Sequence, residues 1–275
     1  MTATGLLAPH RRQPAAPHPR LEVRDLTATY VERGERLLAL ADLSLSVAAG
    51  EFVALIGPSG SGKSTLLDLV AGLIAQDEGE ILLDGESLSA ARRLGRSAYM
   101  RQRDLLLPWR TAAENAALAL EAGGMPKARA RTAATARFPE FGLAGFERAY
   151  PNQLSGGMRQ RVAFLRTVLP NRPLLLLDEP FGALDALTRV EMQSWLLAMW
   201  EWERQSVLLV SHDVDEAVFL ADRVIVLTPR PGRIALVELI GLDRPRRRPV
   251  VTSAAFVAHK AAILAALGVL DEDGK

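Results

Sequence analysis

Nine consecutive residues, Gly57-Pro58-Ser59-Gly60-Ser61-Gly62-Lys63-Ser64-Thr65, have the types and spacing to hold a polyphosphate. Gly57, Gly60 and Gly62 let the backbone turn its N–H groups inward, and the positive end of a following helix adds to them, so an anion is held without any side chain. Lys63 can then reach the β- and γ-phosphates of a nucleotide, and the Ser64 hydroxyl can ligate Mg²⁺. An ordinary glycine turn is the alternative, and the flanks argue against it. Glu51-Phe52-Val53-Ala54-Leu55-Ile56 is short, apolar and partly β-branched, as a buried strand should be, and Leu66-Leu67-Asp68-Leu69-Val70 suits a helix.

Leu174-Leu175-Leu176-Leu177-Asp178-Glu179-Pro180 is a second buried strand, ending in two acids. Carboxylates at the carboxyl end of a parallel strand project into the crevice where α/β sheets bind ligands. Asp178 is placed to hold the Mg²⁺ shared with Ser64, directly or through water. Glu179, one step on, is placed to orient and deprotonate an attacking water. Either acid alone could sit in a surface turn; four leucines before them favour a site.

Leu154-Ser155-Gly156-Gly157-Met158-Arg159-Gln160-Arg161 opens a helix whose free N–H groups and positive end form another anion site. An N-cap requires Ser155 but not both Gly156 and Gly157. The helix runs about 20 Å at about 1.5 Å per residue, so its start can lie far from the chain's own phosphate loop and serve an anion held by another copy. Val210-Ser211-His212-Asp213 sets a histidine just past a further buried strand, where it can donate to a γ-phosphate; a lone histidine is more often structural. Gln102, in Tyr99-Met100-Arg101-Gln102, carries little weight alone.

Elements of two kinds must position these residues. Leu21-Glu22-Val23-Arg24-Asp25-Leu26 and Leu43-Ser44-Leu45-Ser46-Val47 alternate apolar with polar, as half-exposed antiparallel strands do, and Gly79 to Gly85 reads as another strand. The continuous runs Val53 to Ile56, Leu174 to Leu177 and Val207 to Val210 read as strands buried on both faces. The pattern predicts a parallel core with an antiparallel edge or lobe. Between the strands, Ala112 to Leu120 and Lys127 to Phe138 read as helices of an insert, with Gly123-Gly124 and Pro139 as breaks. Met192, Trp195, Leu196 and Met199 recur at helical spacing and are expected to pack against the sheet. Asp243-Arg244-Pro245-Arg246-Arg247-Arg248-Pro249 reads as a solvated basic connector to a last helix over Ser253 to Leu267.

Composition narrows the class. A chain of 275 residues with 49% hydrophobic residues, 24% charged residues and net charge +1 has material for a sizeable core and no excess of positive charge to propose nucleic acid as a main partner. With no cysteine, thiolate metal sites, disulfides and cysteine catalysis are excluded. No apolar run approaches the ~20 residues that span a bilayer, and residues 1–20, rich in proline and arginine, lack the apolar stretch of a secretory signal and read as a disordered, cytoplasmic N-terminus.

In this order the parts resemble the ATP-binding subunit of ABC transporters over residues 21 to about 240. Gly57 to Thr65 is similar to that family's Walker A, Gln102 to its Q-loop, Leu154 to Gln160 to its signature motif, and Leu174 to Glu179 to its Walker B. Ala183-Leu184-Asp185 is similar to its D-loop and His212 to its switch histidine. The resemblance implies an α/β fold with a P-loop NTPase (RecA-like) parallel-sheet core, an antiparallel β subdomain and an inserted helical subdomain at about 103–170. Residues 241–275 then form a separate basic linker and C-terminal helix. It implies ATP and Mg²⁺ as ligands, Gln102 as a further contact to the metal, Asp185 as a nucleotide-side residue and Tyr30 as an aromatic stacked on adenine. A tyrosine ending a strand is the plain alternative for Tyr30. It also implies a head-to-tail dimer in which Ser155 and Gly157 of one copy touch the γ-phosphate held by the other.

Within the family the likeness is to importers of the nitrate, sulfonate and taurine type, carried by Leu107-Pro108-Trp109-Arg110-Thr111, by Asp178 to Asp185, by Ser211 to Ala217 and by the late arginine run. Arg101 departs from the apolar residue common before the glutamine, and Phe164-Leu165-Arg166-Thr167 departs from the usual Ala-Arg-Ala. The implied role is an energy-coupling subunit on the cytoplasmic face of the cell membrane, docked on a separate permease and, through it, served by a solute-binding protein. An ABC ATPase of an export, lipid-transfer or cell-division complex is the alternative. A small-molecule kinase would leave the signature stretch and His212 unused, and a DNA- or ribosome-acting ATPase would need a coiled coil or a second cassette.

Overall fold

The computed structural model describes residues 18–32, 35–182 and 184–269. Most of the expected disordered N-terminus, residues 1–17, and Ala183 of the Ala-Leu-Asp stretch lie outside them. Among the described residues ten strands form two sheets. The elements run β1 (Leu21–Glu32), β2 (Glu35–Val47), β3 (Phe52–Ile56), α1 (Lys63–Ala71), β4 (Glu78–Leu83), β5 (Glu86–Ser87), α2 (Ala90–Arg93) and β6 (Ala98–Met100). Then come α3 (Ala112–Ala122), α4 (Lys127–Arg137), α5 (Gly156–Val168), β7 (Leu174–Asp178), α6 (Ala186–Glu203), β8 (Ser206–Ser211), α7 (Val214–Leu220), β9 (Arg223–Leu227), β10 (Ile234–Leu239) and α8 (Ala254–Ala266).

The antiparallel sheet has the order β2-β1-β4-β5, and the other has β10-β9-β3-β8-β7-β6 with all pairs parallel except β10 on β9. Every residue of β3, β7 and β8 is buried, as continuous apolar runs require. Because side chains alternate along a strand, β3 feeds two cores. Val53 and Leu55 pack with Leu21, Leu40 and Leu66 under the antiparallel sheet, whereas Phe52, Ala54 and Ile56 join the core of α3, α5, α6 and α7. The first two strands run longer than their alternation predicts, since β1 continues to Glu32 and β2 begins at Glu35. Met192 and Leu196 are buried as expected, but Trp195 packs on Phe141 and Phe164 of the helical insert, 4.5 and 5.2 Å between ring centroids.

The expectation of a solvated basic connector fails. Burial alternates along residues 243 to 248, so Arg244, Arg246 and Arg248 turn inward while Arg247 faces out. Arg246 is only 6% exposed. Its Nη1 donates to the carbonyls of Val218, Phe219 and Ala221 at 3.1, 3.2 and 2.6 Å, and its Nη2 to those of Ile240 and Leu242 at 3.3 and 3.4 Å. The last carbonyls of a helix have no partner within it and carry the negative end of its dipole, so a guanidinium fork answers the C-terminus of α7. Arg244 bonds Asp222 and the Leu220 carbonyl and lies 4.2 Å over the ring of Trp200. A run of charges predicts solvent only when its partners are ignored; here the partners are backbone oxygens from other elements. Beyond this strap, α8 buries Phe256 and Ile263 and ties Lys260 to Asp215 on α7 at 2.8 Å.

Candidate functional site

Four neighbouring parallel strands deliver their functional residues at one edge. β3 ends at Ile56, β8 at Ser211, β7 at Asp178 and β6 at Met100. The register sets Ile56 beside Ser211, Asp178 beside Val210 and Met100 beside Leu177. The loops that start there carry Gly57, His212, Glu179 and Gln102, so residues far apart in sequence open into one crevice.

The loop from Gly57 to Gly62 leads into Lys63 at the start of α1. Gly62 has φ 89°, and a Cβ there would lie 2.6 Å from Leu40 Cδ2 and 2.9 Å from the Ala39 carbonyl. Only glycine fits that conformation and that approach. Lys63 Nζ donates to the carbonyls of Gly57 and Pro58, both at 2.8 Å, which folds the ammonium back over the loop. Burial pushes the Lys63 pKa down, against the pull of Glu179 and Asp178. Ser59, Gly60 and Ser64 are exposed at the mouth, with Pro58 and Thr65 half-buried beside them.

Ser64 Oγ donates to Asp178 Oδ1 at 3.1 Å. Burial lifts the Asp178 carboxyl above the usual carboxylate range, with the Ser64 hydroxyl opposing. A buried carboxylate facing a hydroxyl is a hard-oxygen donor pair that a divalent cation would satisfy, so the residues fit Mg²⁺. Among the described residues no group of three or more His, Cys, Asp or Glu forms a metal cage by itself. That pattern suits Mg²⁺, which is held through one or two protein oxygens together with substrate phosphates.

Glu179 has φ 45°, a left-handed conformation that costs a non-glycine residue on the order of 1–2 kcal/mol. The turn it makes is fixed by the bond from its N–H to the Val210 carbonyl at 2.9 Å. It presents the carboxylate to two partners. Gln102 Nε2 donates to Glu179 Oε2 at 2.8 Å, and His212 Nδ1 lies 3.3 Å from the same oxygen. Gln102 is thus paired with Glu179 and not with Ser64 or Asp178.

Ser155, Gly156 and Gly157 open α5, and no hydrogen bond among the described residues joins them to the phosphate loop. Ser155 Oγ accepts from Met158 N at 3.2 Å as a plain N-cap. A Cβ at Gly157 would lie 2.9 Å from Thr188 Cγ2, which gives that glycine a packing reason, whereas Gly156 has no close neighbour but the tip of Arg159. Asp185 caps α6 by accepting from Thr188 N at 3.0 Å, and these hydrogen bonds hold its carboxyl below the usual range.

The family described as ABC transporter matches residues 40–182, more than half of the chain. The chain belongs to that family. The aliphatic sulfonates import ATP-binding protein of Cupriavidus necator is 46% identical over 269 residues, covering 94% of this chain and 83% of that protein. The taurine import ATP-binding protein of Yersinia pestis is 42% identical over 233 residues, covering 82% and 90%. A dimeric ABC cassette solved in a post-hydrolysis state with ADP and Pi has a TM-score of 0.71 and 32% identity, covering 81% of this chain and all of that one. The fold is that of an ABC ATPase, and the chain is an ATP-binding, ATP-hydrolysing subunit of that family.

In this ABC cassette Arg230 and Gly232 escaped sequence reasoning, as did the contacts that Arg101 and Arg166 make. Tyr30, half-buried at the end of β1, accepts from Arg230 Nη1 at 3.0 Å. Two residues on, Gly232 passes the phosphate loop so closely that a Cβ would fall 2.1 Å from the Ser61 carbonyl. The turn at Arg230 to Gly232 thereby joins Tyr30 to the phosphate loop. Arg101, the departure before Gln102, stacks 5.2 Å from the Tyr99 ring centroid and bonds Asp68 of α1 at 2.6 Å, clamping this loop to the phosphate-loop helix. Arg166, in the other departure, donates to the carbonyls of Asp104 and Leu105 and so bolts α5 to the loop after Gln102. A single arginine in a motif gap gives no signal for such contacts; a gap next to two motifs is where to look for them.

Proposed function

We propose that this ABC ATPase is the energy-coupling subunit of an importer for a small anionic or zwitterionic solute of the nitrate, sulfonate or taurine kind. It would lie peripherally on the cytoplasmic face of the cell membrane. The observation that carries the chemistry is the Glu179 carboxylate, held at a left-handed turn between Gln102 and His212 beside the Ser64–Asp178 pair. In this reading the N–H groups of Gly57 to Thr65 and the Lys63 ammonium bind the ATP phosphates, with Tyr30 toward the base. Glu179 takes the proton from the attacking water, and His212 donates to the γ-phosphate as charge grows on it. Mg²⁺, held by Ser64 and Asp178 with Gln102 nearby, would neutralise phosphate charge. The cassette spans about residues 21–240 with the helical insert at about 103–170, and the rest is a C-terminal strap and helix.

The anion site at Ser155 to Gly157 and the Asp185 cap have no partner group in their own chain's crevice, which supports a head-to-tail dimer closing over two ATP molecules. Turnover should therefore rise more steeply than linearly with protein concentration in dilute solution. Phosphate release measured across a dilution series checks this, and a strictly monomeric chain working at full rate would refute the shared site.

The solute choice rests on the named relatives, and the import role has a surface to match. Leu105 is 54% exposed with φ 47°, and Trp109 is 70% exposed, in a loop anchored from behind by Arg166 and Arg159. Apolar side chains pinned outward mark a docking patch. Trp109→Ala should lose co-purification with the permease while the isolated subunit keeps its ATPase rate; retention of the permease would remove this surface from the reading.

A further inference from the structure

His212 is 59% exposed at its side chain, so its own packing does not fix where the imidazole points. The backbone of Ser211 to Asp213 must do so. Ser211 Oγ accepts from Asp213 N at 3.0 Å, and Asp213 Oδ1 caps α7 by accepting from Glu216 N at 3.1 Å. Behind them lies the buried Glu216 carboxyl, which accepts from Gln193 Nε2 of α6 at 3.0 Å, while the Ser211 hydroxyl donates to the Asp213 carbonyl at 3.4 Å. The Gln193 amide has one donor end and one acceptor end, and only one orientation serves Glu216. Arg248 of the strap selects it. Its Nη2 donates to Gln193 Oε1 at 2.7 Å, which leaves the NH₂ group facing the carboxylate. Arg248 is itself gripped by the Val190 carbonyl at 2.7 Å, by Ser194 Oγ at 3.2 Å and by the Phe219 ring, whose centroid lies 4.4 Å away. Arg189 of α6, 3.9 Å from Asp213 Oδ2, is the other cation facing this group.

We infer that Arg248, outside the nucleotide-binding core, is a positioning residue for His212, acting through Gln193 and Glu216. This rests on the reading that His212 serves the γ-phosphate. Without the guanidinium the Gln193 amide is free to flip, its oxygen then opposes the Glu216 carboxyl wherever that group is ionised, and the first turn of α7 shifts with the Ser211 to Asp213 loop. Arg248, Gln193 and Glu216 make none of the contacts assigned to the nucleotide, so the loss falls on turnover and not on binding.

The test compares full-length Arg248→Ala, Gln193→Leu, their double variant and Arg248→Lys with Arg244→Ala. The last loosens the same strap without touching Gln193. Arg248→Ala and Gln193→Leu should each lower kcat about tenfold, equivalent to about 1.4 kcal/mol, with KM and trinitrophenyl-ATP affinity unchanged within about twofold. The double variant should be no slower than either single one, because both cut the same chain, and Arg248→Lys should recover part of the rate. The chain has 4 histidines, so the His212 imidazole resonance can be assigned with His212→Ala; it should move in Arg248→Ala and Gln193→Leu and stay in Arg244→Ala. A wild-type kcat in Arg248→Ala, or a kcat that falls only in step with Arg244→Ala while the His212 resonance stays, overturns the inference. Should Arg248→Ala not fold, Gln193→Leu decides alone, since it keeps Arg248 on Val190 and Ser194. Full activity in His212→Ala would sink the reading of the site itself, whereas an inactive His212→Ala beside a normal Arg248→Ala sinks only the positioning role.

Discussion

Glu179→Gln should bind ATP with unchanged affinity and turn over at least about a hundredfold more slowly, the contribution expected of a general base. The change keeps shape and keeps an acceptor. The new amide oxygen still receives Gln102 Nε2, and the left-handed turn is fixed by backbone bonds from Glu179 to Val210 and from Gly182 to Glu179, which do not involve the side chain. What goes is the carboxylate that lies 3.3 Å from His212 Nδ1, the proton acceptor of this reading. If ATP closes the proposed dimer and hydrolysis reopens it, that dimer should accumulate when ATP is present. Phosphate release and size-exclusion chromatography with and without ATP measure both effects, and normal turnover in this variant would remove Glu179 as the base.

What could be foreseen in the sequence was what is local. The phosphate loop and the Asp178-Glu179 pair declare themselves because strand, loop and helix are contiguous, and Gly60 and Gly62 there answer a local demand for left-handed backbone. Gln102 and His212 are different. They meet Glu179 only because β6, β7 and β8 lie side by side in the sheet, and nothing in the sequence of one strand states its neighbours. They became candidates through the order of family motifs and not through their own surroundings. Tyr30 and Arg230, joined at 3.0 Å across 200 residues, were legible only in half, because Arg230 belongs to no motif. The arginine strap was misread for a related reason. Its alternation has a strand's period, but with charge on the inward face the usual equation of inward with apolar points the wrong way.

The inward-facing arginines carry the second large effect, on stability. Arg246→Met should destabilise the fold by about 3 kcal/mol, because it removes one buried guanidinium and leaves five carbonyls with no donor, each unsatisfied buried acceptor costing about 1–3 kcal/mol less whatever water or relaxation recovers. Burying the charge also has a cost: desolvation, then repulsion from Arg244, push the Arg246 pKa down to about 10, so the group is still charged near neutral pH. Replacing a buried ion pair with apolar residues can be neutral when both partners go. Here the partners are backbone oxygens at the end of α7 and after β10, which no substitution can remove, so the unpaired acceptors decide the sign. For a chain of this size the loss corresponds to a fall in melting temperature of about 6–12 °C. Arg246→Lys should recover little, since one ammonium cannot span carbonyls on two sides as the planar fork does. The exposed neighbour supplies the control: Arg247→Met should stay within about 0.5 kcal/mol of the parent. Thermal unfolding of the three variants separates the cases, and an Arg246→Met protein as stable as Arg247→Met would show that the strap does not hold α7.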